Sequence, residues 1–340
     1  MISRVKLRIM QKLLLISFLL AITGCSDKSN PESLVVYTSR QPQLIEPLFE
    51  QYTKETGIKI VLLSGDAQQL LERINSEGET TAADLFITVD AGVLWQAAEK
   101  GILAQVDSEL LDRRIPNYLR DPDNQWFGLS KRLRTIVVND IGLIESPETY
   151  EDLSSEKWKN RLCLRTSQKV YNQSLIASLI SNIGEDQAIK VVRGWVNNLS
   201  TKVFSSDTLA LKAVQAGQCD ATIVNSYYLG RLLVDDEGTN LNLVWANQGS
   251  TGVHVNISGG GLVRYSKKSE AAINLLEWLT SEWAQEKYAY LNLEYPVVQG
   301  TKIHPILESW GSFKEDDLNA KLLGALQRDA VLLARKTNYD

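Results

Sequence analysis

Between Leu34 and Gly101 short apolar runs alternate with helix-period segments three times, and that alternation leaves few folds open. LVVYT (34–38), IKIVLLS (58–64) and DLFIT (84–88) are brief apolar runs that read as buried strands. Gln43 to Thr56, with Leu44, Leu48 and Tyr52 on one stripe, reads as a helix stopped by Gly57. Ala67 to Glu77 is a second helix, ending at Gly78, and Asp90 caps a third that closes before Gly101. Strands joined through helices predict an α/β chain with a parallel sheet.

The pattern turns irregular after Pro116, with strands predicted at 126–129 and 135–139, and then resumes. RLCLRT (161–166), ATIVN (221–225), LNLVWA (241–246) and ISGGGLVRY (257–265) read as strands. Helices are predicted over 172–182, 185–197, 206–216, 226–234, 270–280 and 282–290, and 314–335 reads as one amphipathic helix or a pair. A chain of 340 residues holds about two domains. Two α/β lobes joined by irregular crossings, each a mainly parallel sheet flanked by helices, leave a cleft between them. The expected division is 34–134 with about 256–308 for the first lobe, and about 135–255 with 309–340 for the second. Ligands in such sheets bind beyond the carboxyl ends of the strands. Tyr37, Thr88 to Asp90, Thr166 to Tyr171 and Asn225 to Tyr228 fall at those ends.

The amino terminus sets the compartment. Arg4, Lys6, Arg8 and Lys12 precede the apolar run Leu13 to Ile22, which is short for a membrane span and suits the apolar part of a signal peptide. Ile22-Thr23-Gly24-Cys25 resembles the lipobox of bacterial lipoproteins, in which the cysteine becomes the lipidated first residue. Residues 1–24 are therefore expected to be a signal peptide, Cys25 the lipidation site and 25–33 a polar tether; a buried amino-terminal helix is the plainer alternative. Removing 1–24 takes away four basic groups and lowers the net charge from −5 to −9. So acidic a chain has no general attraction for nucleic acid. Cys163 and Cys219 each lie eight residues before a tyrosine in a strand-like stretch. If those strands are parallel neighbours the thiols sit at equal depth, and outside the cytoplasm they are either a disulfide or two buried free thiols.

Enzyme signatures are missing: there is no G-x-S-x-G, no G-x-x-x-x-G-K-[ST] and no H-E-x-x-H. The two histidines, His254 and His304, are far apart, and three Cys and two Met complete a sparse set of soft donors. Gly259-Gly260-Gly261 has no helix after it and reads as close backbone packing before a phosphate cradle. Trp95, Trp126, Trp195 and Trp245 fit core positions better than ligand platforms. The unusual feature is Tyr227-Tyr228 at a strand-to-helix turn, with Tyr171 at an analogous place. Three phenols at the carboxyl ends of strands would make a hard oxygen site suited to Fe³⁺, which favours anionic oxygen donors. Tyrosines so placed can equally be core or rim.

LVVYTSR, ADLFITVDAGVLW, SKRLRTIVVN, VYNQSLIASLI, VNSYYLGR, VNISGGGLV and FKEDDLNAKLLGALQRDAVLLARKTNY occur in this order. In these blocks the chain resembles the periplasmic ferric-ion-binding proteins of ABC importers, bilobal solute-binding proteins, and within them the tyrosine-rich cyanobacterial-type branch. The resemblance implies the two-lobed periplasmic-binding-protein fold, no enzymatic activity, and a lipid-anchored monomer working in the periplasm. It implies capture of Fe³⁺ by the phenolates of Tyr171, Tyr227 and Tyr228, with an anion such as carbonate alongside, and delivery to an ABC permease. Asn225 and Arg134 match residues that hold an anion or balance phenolate charge. This branch commonly continues its first strand with Ser-Arg-His-Tyr; here the run is Ser39-Arg40-Gln41-Pro42, so the first-lobe donors are absent and only Gln41, with Arg40 beside it, remains. Asp90 lies one residue past the place where other relatives carry a carboxylate. The same fold in other bilobal proteins takes an oxyanion, a polyamine or a thiamine-like cation, and those remain the competing class.

Overall fold

The computed structural model describes residues 33–141, 145–235 and 239–340. The signal segment 1–24, Cys25 and all of the tether but Ser33 lie outside the described residues. In chain order the strands are β1 (Ser33–Thr38), β2 (Lys59–Ser64), β3 (Leu85–Thr88), β4 (Phe127–Asn139), β5 (Leu162–Cys163), β6 (Ala221–Asn225), β7 (Leu241–Val244) and β8 (His254–Leu262). The helices are α1 (Glu46–Thr56), α2 (Ala67–Glu77), α3 (Ala91–Glu99), α4 (Glu109–Arg114), α5 (Val170–Ile183), α6 (Glu185–Asn197), α7 (Asp207–Gln215) and α8 (Ser226–Asp235). After β8 follow α9 (Ser269–Leu279), α10 (Glu282–Asn292), α11 (Pro305–Ser309), α12 (Lys321–Ala325) and α13 (Gln327–Lys336). Among the described residues no helix is long and apolar enough to cross a membrane.

Local chemistry fixes many boundaries. Asp66 accepts from the backbone N–H of Gln68 and Gln69 to start α2, and Asp90 accepts from Val93 to start α3. Gly57 ends α1 in the left-handed region at φ 76°.

The strands form one sheet in the order β2-β1-β3-β8-β4-β6-β5, with β7 beside β4. The pairs β1/β2, β1/β3 and β5/β6 are parallel. The pairs β3/β8, β4/β6, β4/β7 and β4/β8 are antiparallel. The two-lobed α/β architecture stands, but the sheet is mixed where a mainly parallel one was expected. The reason is β4 and β8, which run antiparallel to each other from one lobe into the other. The sequence divides β4 into two strands; the chain keeps it as one strand of 13 residues. Its middle, Ser130 to Leu133, pairs with Val255 to Ser258.

The triple glycine is a packing device. A Cβ at Gly261 would lie 2.5 Å from the Gln125 carbonyl oxygen, and one at Gly259 would lie 2.7 Å from that of Phe127. Trp126, Trp158 and Trp195 are fully buried in the core. The carboxyl-terminal segment 309–340, expected on the second lobe, bonds to residues of both the 34–134 and the 135–255 stretches. Ala320 N–H donates to the Tyr118 carbonyl and Gln96 Nε2 donates to Gln327 Oε1, whereas Ser167 Oγ donates to the Tyr339 carbonyl.

Candidate metal centre

β6 ends at Asn225 and α8 begins at Ser226, so no loop separates the buried strand from the helix. Tyr227 and Tyr228 therefore sit in the first turn of α8. Their ring centroids are 4.5 Å apart at an interplanar angle of 39°. Tyr171 sits in the first turn of α5. All three phenols thus lie at helix amino ends, where the peptide dipoles favour negative charge.

One guanidinium joins two of them, Tyr171 and Tyr227. Arg132 Nη2 donates to Tyr227 Oη at 2.5 Å and to Tyr171 Oη at 3.3 Å. Its carbon lies 4.8 Å from the Tyr227 ring centroid and 5.3 Å from that of Tyr171. Arg165 covers Tyr171 at 5.1 Å, and Arg231 covers Tyr227 at 4.9 Å and Tyr228 at 5.9 Å. Burial raises the pKa of Tyr227, and Arg132 partly opposes the rise. Burial likewise raises that of Tyr228, reinforced by Tyr171 and Asp207 and opposed by Arg132 and Arg165. These two phenols are protonated at neutral pH until a cation competes with the proton.

The remaining expected residues divide into those at the tyrosines and those elsewhere. Asn225 Nδ2 donates to Tyr227 Oη at 2.9 Å, and its Oδ1 accepts from Arg134 Nη1 at 3.0 Å. Arg134, expected to face the cleft, is a buried support behind the tyrosines. It donates to Asn172 Oδ1 at 3.0 Å, to the Ile223 carbonyl at 2.9 Å and to Asp207 at 3.1 Å. Asp207, fully buried, draws it there and also accepts from Arg165 at 3.0 Å. The guanidinium at the phenols is Arg132, two residues earlier on the same strand.

Arg40 is buried and donates to Glu294 Oε2 at 2.9 Å. Gln41 is exposed, and its side-chain carbonyl accepts from Gln43 Nε2 at 3.0 Å, within its own loop. Asp90 is buried, caps α3 and accepts from Asn256 Nδ2 at 2.7 Å. Burial raises its pKa, with Asn256 opposing. Cys163 and Cys219 are bonded, Sγ to Sγ at 2.01 Å. They staple the last residue of β5 to the segment two residues ahead of β6, the strand that runs on into Tyr227 and Tyr228.

Sequence reasoning missed Arg132, Arg165, Arg231 and Glu294. Glu294 is 1% exposed; its Oε2 also accepts from Ser130 Oγ at 2.5 Å, and its Oε1 lies 3.6 Å from Arg132 Nη1. Burial would raise its pKa, but Arg40 and Arg132 hold it below the ordinary value. Among the described residues no group of three or more His, Cys, Asp or Glu could hold a metal.

Residues 80–315 match the family model described as bacterial extracellular solute-binding protein. Iron uptake protein A1 of Synechocystis is 40% identical over 316 residues, covering 91% of this chain and 88% of that protein. A solved Trichodesmium structure, described as FutA in complex with iron and citrate ligands, is 42% identical, with a TM-score of 0.86 over 91% of this chain and all of that one. The ferric binding protein from Campylobacter jejuni is 29% identical, with a TM-score of 0.84 over 90% of this chain and all of that one. On the family match and the 40% identity, the chain belongs to the bacterial extracellular solute-binding protein family.

Proposed function

We propose that this protein is a lipid-anchored extracytoplasmic carrier that captures ferric iron through the phenolates of Tyr171, Tyr227 and Tyr228 and hands it to an ABC permease. The observation that carries the reading is the gathering of three phenols at two helix amino ends, Tyr171 and Tyr227 on the Arg132 guanidinium and Tyr228 against the Tyr227 ring. The relatives named for iron uptake and ferric binding support the choice of cargo.

Fe³⁺ is a hard Lewis acid and displaces phenolic protons that water leaves in place. Three phenolates offset its three charges, and the two helix amino ends favour the anions so formed. Arg132, Arg165 and Arg231 leave positive charge in excess around the rings, so a small anion such as carbonate completes the coordination. The lobes turn about the junction of Ser130 to Leu133 with Val255 to Ser258, and the permease reads the closed shape. A lipid on Cys25 would keep the carrier at the membrane; its several chains anchor where one would not.

The test is a titration of the protein with ferric citrate, recorded in the visible range. A phenolate-to-iron charge-transfer band that vanishes in Tyr227→Phe/Tyr228→Phe is the expected result. A folded protein that gives no band would turn the assignment toward oxyanions or organic cations.

A further inference from the structure

The run directly after β1, Ser39 to Gln43, carries no tyrosine or histidine, yet the first-lobe wall is joined to the phenols. Glu294 belongs to that wall, since its Oε2 accepts from Arg40 Nη2 at 2.9 Å, and Arg40 lies two residues past β1. Its Oε1 has no hydrogen-bond partner among the described residues and faces Arg132 Nη1 at 3.6 Å. The other amino group of the same guanidinium reaches Tyr227 and Tyr171. Arg132 itself lies in the junction segment of β4, opposite Asn256.

The backbone supports this aim. Leu293, just before Glu294, takes φ 55°, a left-handed conformation that costs a leucine energy and is kept where the surroundings demand it. The turn sends the Glu294 carboxylate inward at the end of α10. Arg231 Nη2 also donates to the Asn292 carbonyl at 3.2 Å, so α8 meets this wall directly.

We propose that Glu294 is a positioning residue of the metal centre, and that the relay Arg40–Glu294–Arg132–Tyr227/Tyr171 draws the two lobes together in place of a first-lobe metal ligand. The planar guanidinium suits this role because one of its amino groups faces a carboxylate as an ion pair while the other donates to phenol oxygens. The inference rests on the tyrosine site of the proposed function, but the relay operates with or without iron.

The experiment compares wild type with Glu294→Gln by small-angle scattering, metal-free and ferric-loaded, and by the rate at which excess citrate removes iron. Glu294→Gln is expected to keep the wavelength of the charge-transfer band, because the ligands are unchanged. It is expected to enlarge the radius of gyration in both samples and to release iron roughly 30-fold faster, as truncation of one partner in a buried charge pair does. Wild-type scattering and release rate in a folded Glu294→Gln would overturn the relay. A moved band would overturn it too, since Glu294 would then sit on the metal. If Glu294→Gln does not fold, Arg132→Lys carries the same test: an ammonium keeps the charge but cannot span both partners, so an unchanged closed profile refutes the proposal. Should wild type give no band, the ferric assignment fails while the metal-free scattering still decides the relay.

Discussion

The two walls of the cleft solve the same problem by different means. The second-lobe wall presents phenols from the first turns of α5 and α8, each backed by buried polar groups such as Asn225, Arg134 and Asp207. The first-lobe wall presents an exposed Gln41 and a proline-led 3-10 turn, and behind them a buried Arg40–Glu294 pair. On the proposed function one wall offers donors to a cation, and on the proposed relay the other reaches those donors through Arg132. Affinity and closure are therefore separable here, and mutations on the two walls should fail differently.

The largest effect belongs to the donors. Tyr227→Phe with Tyr228→Phe should abolish the visible band and weaken ferric binding by more than about a hundredfold, the upper range for losing even an outer-shell partner. Equilibrium competition with citrate measures it. Next comes the staple beneath that wall. The Cys163–Cys219 bond closes a loop across 56 residues, which chain entropy values at about 4 kcal/mol. Cys163→Ala with Cys219→Ala should lower unfolding stability by that order while leaving the wavelength of the band in place. A shift in wavelength would mean that the staple also sets ligand geometry.

Much of the second-lobe wall was legible in the sequence. A buried strand running straight into a helix forces Tyr227 and Tyr228 to the strand's carboxyl end, and VNSYYLGR displays that join without any fold in hand. The choice between Arg132 and Arg134 was not legible. Strand alternation puts both on one face, and only Asp207, more than seventy residues later, decides which is drawn behind the tyrosines. Glu294 was invisible for the same reason, since the partners of its carboxylate, Arg40, Ser130 and Arg132, all lie more than 150 residues away. The polar run Ser130-Lys131-Arg132 broke β4 in the sequence reading because a junction strand facing a cleft lacks the apolar face that marks a strand. RLCLRT keeps a ladder only at Leu162–Cys163. Residues 314–320 hold no helix; Glu315 bridges to Val253, and α12 starts at Lys321.

The junction offers a smaller, pH-dependent effect. His254 is buried, bonded to Ser174 Oγ at 2.8 Å, and burial pushes its pKa down to about 3, with the Arg134 charge adding to the fall. An unfolded histidine titrates near 6.5. The unfolded chain therefore binds the extra proton as pH drops below that value, and this contribution to stability, whole above pH 6.5, is lost as pH falls toward 3. The slope is at most about 1.4 kcal/mol per pH unit from this one group. Urea unfolding at pH 7.5, 5.5 and 4.5 should show a shallower loss in His254→Gln than in wild type. Equal slopes would mean the junction is wet enough to charge the ring.

The smallest effect sharpens the comparison most. Gln41 is exposed, and among the described residues its side chain bonds within its own loop to Gln43. Gln41→Ala should then leave the ferric band, the citrate competition and the closed scattering profile at wild-type values, with stability changed by less than about 0.5 kcal/mol, as for most exposed positions. The neighbouring Arg40→Gln should not be silent, because it takes away a buried partner of Glu294. If instead Gln41→Ala alters the band, the loop after β1 moves to the metal when iron is present. The first lobe would then hold a ligand after all, and the division between a donor wall and a charge wall would collapse.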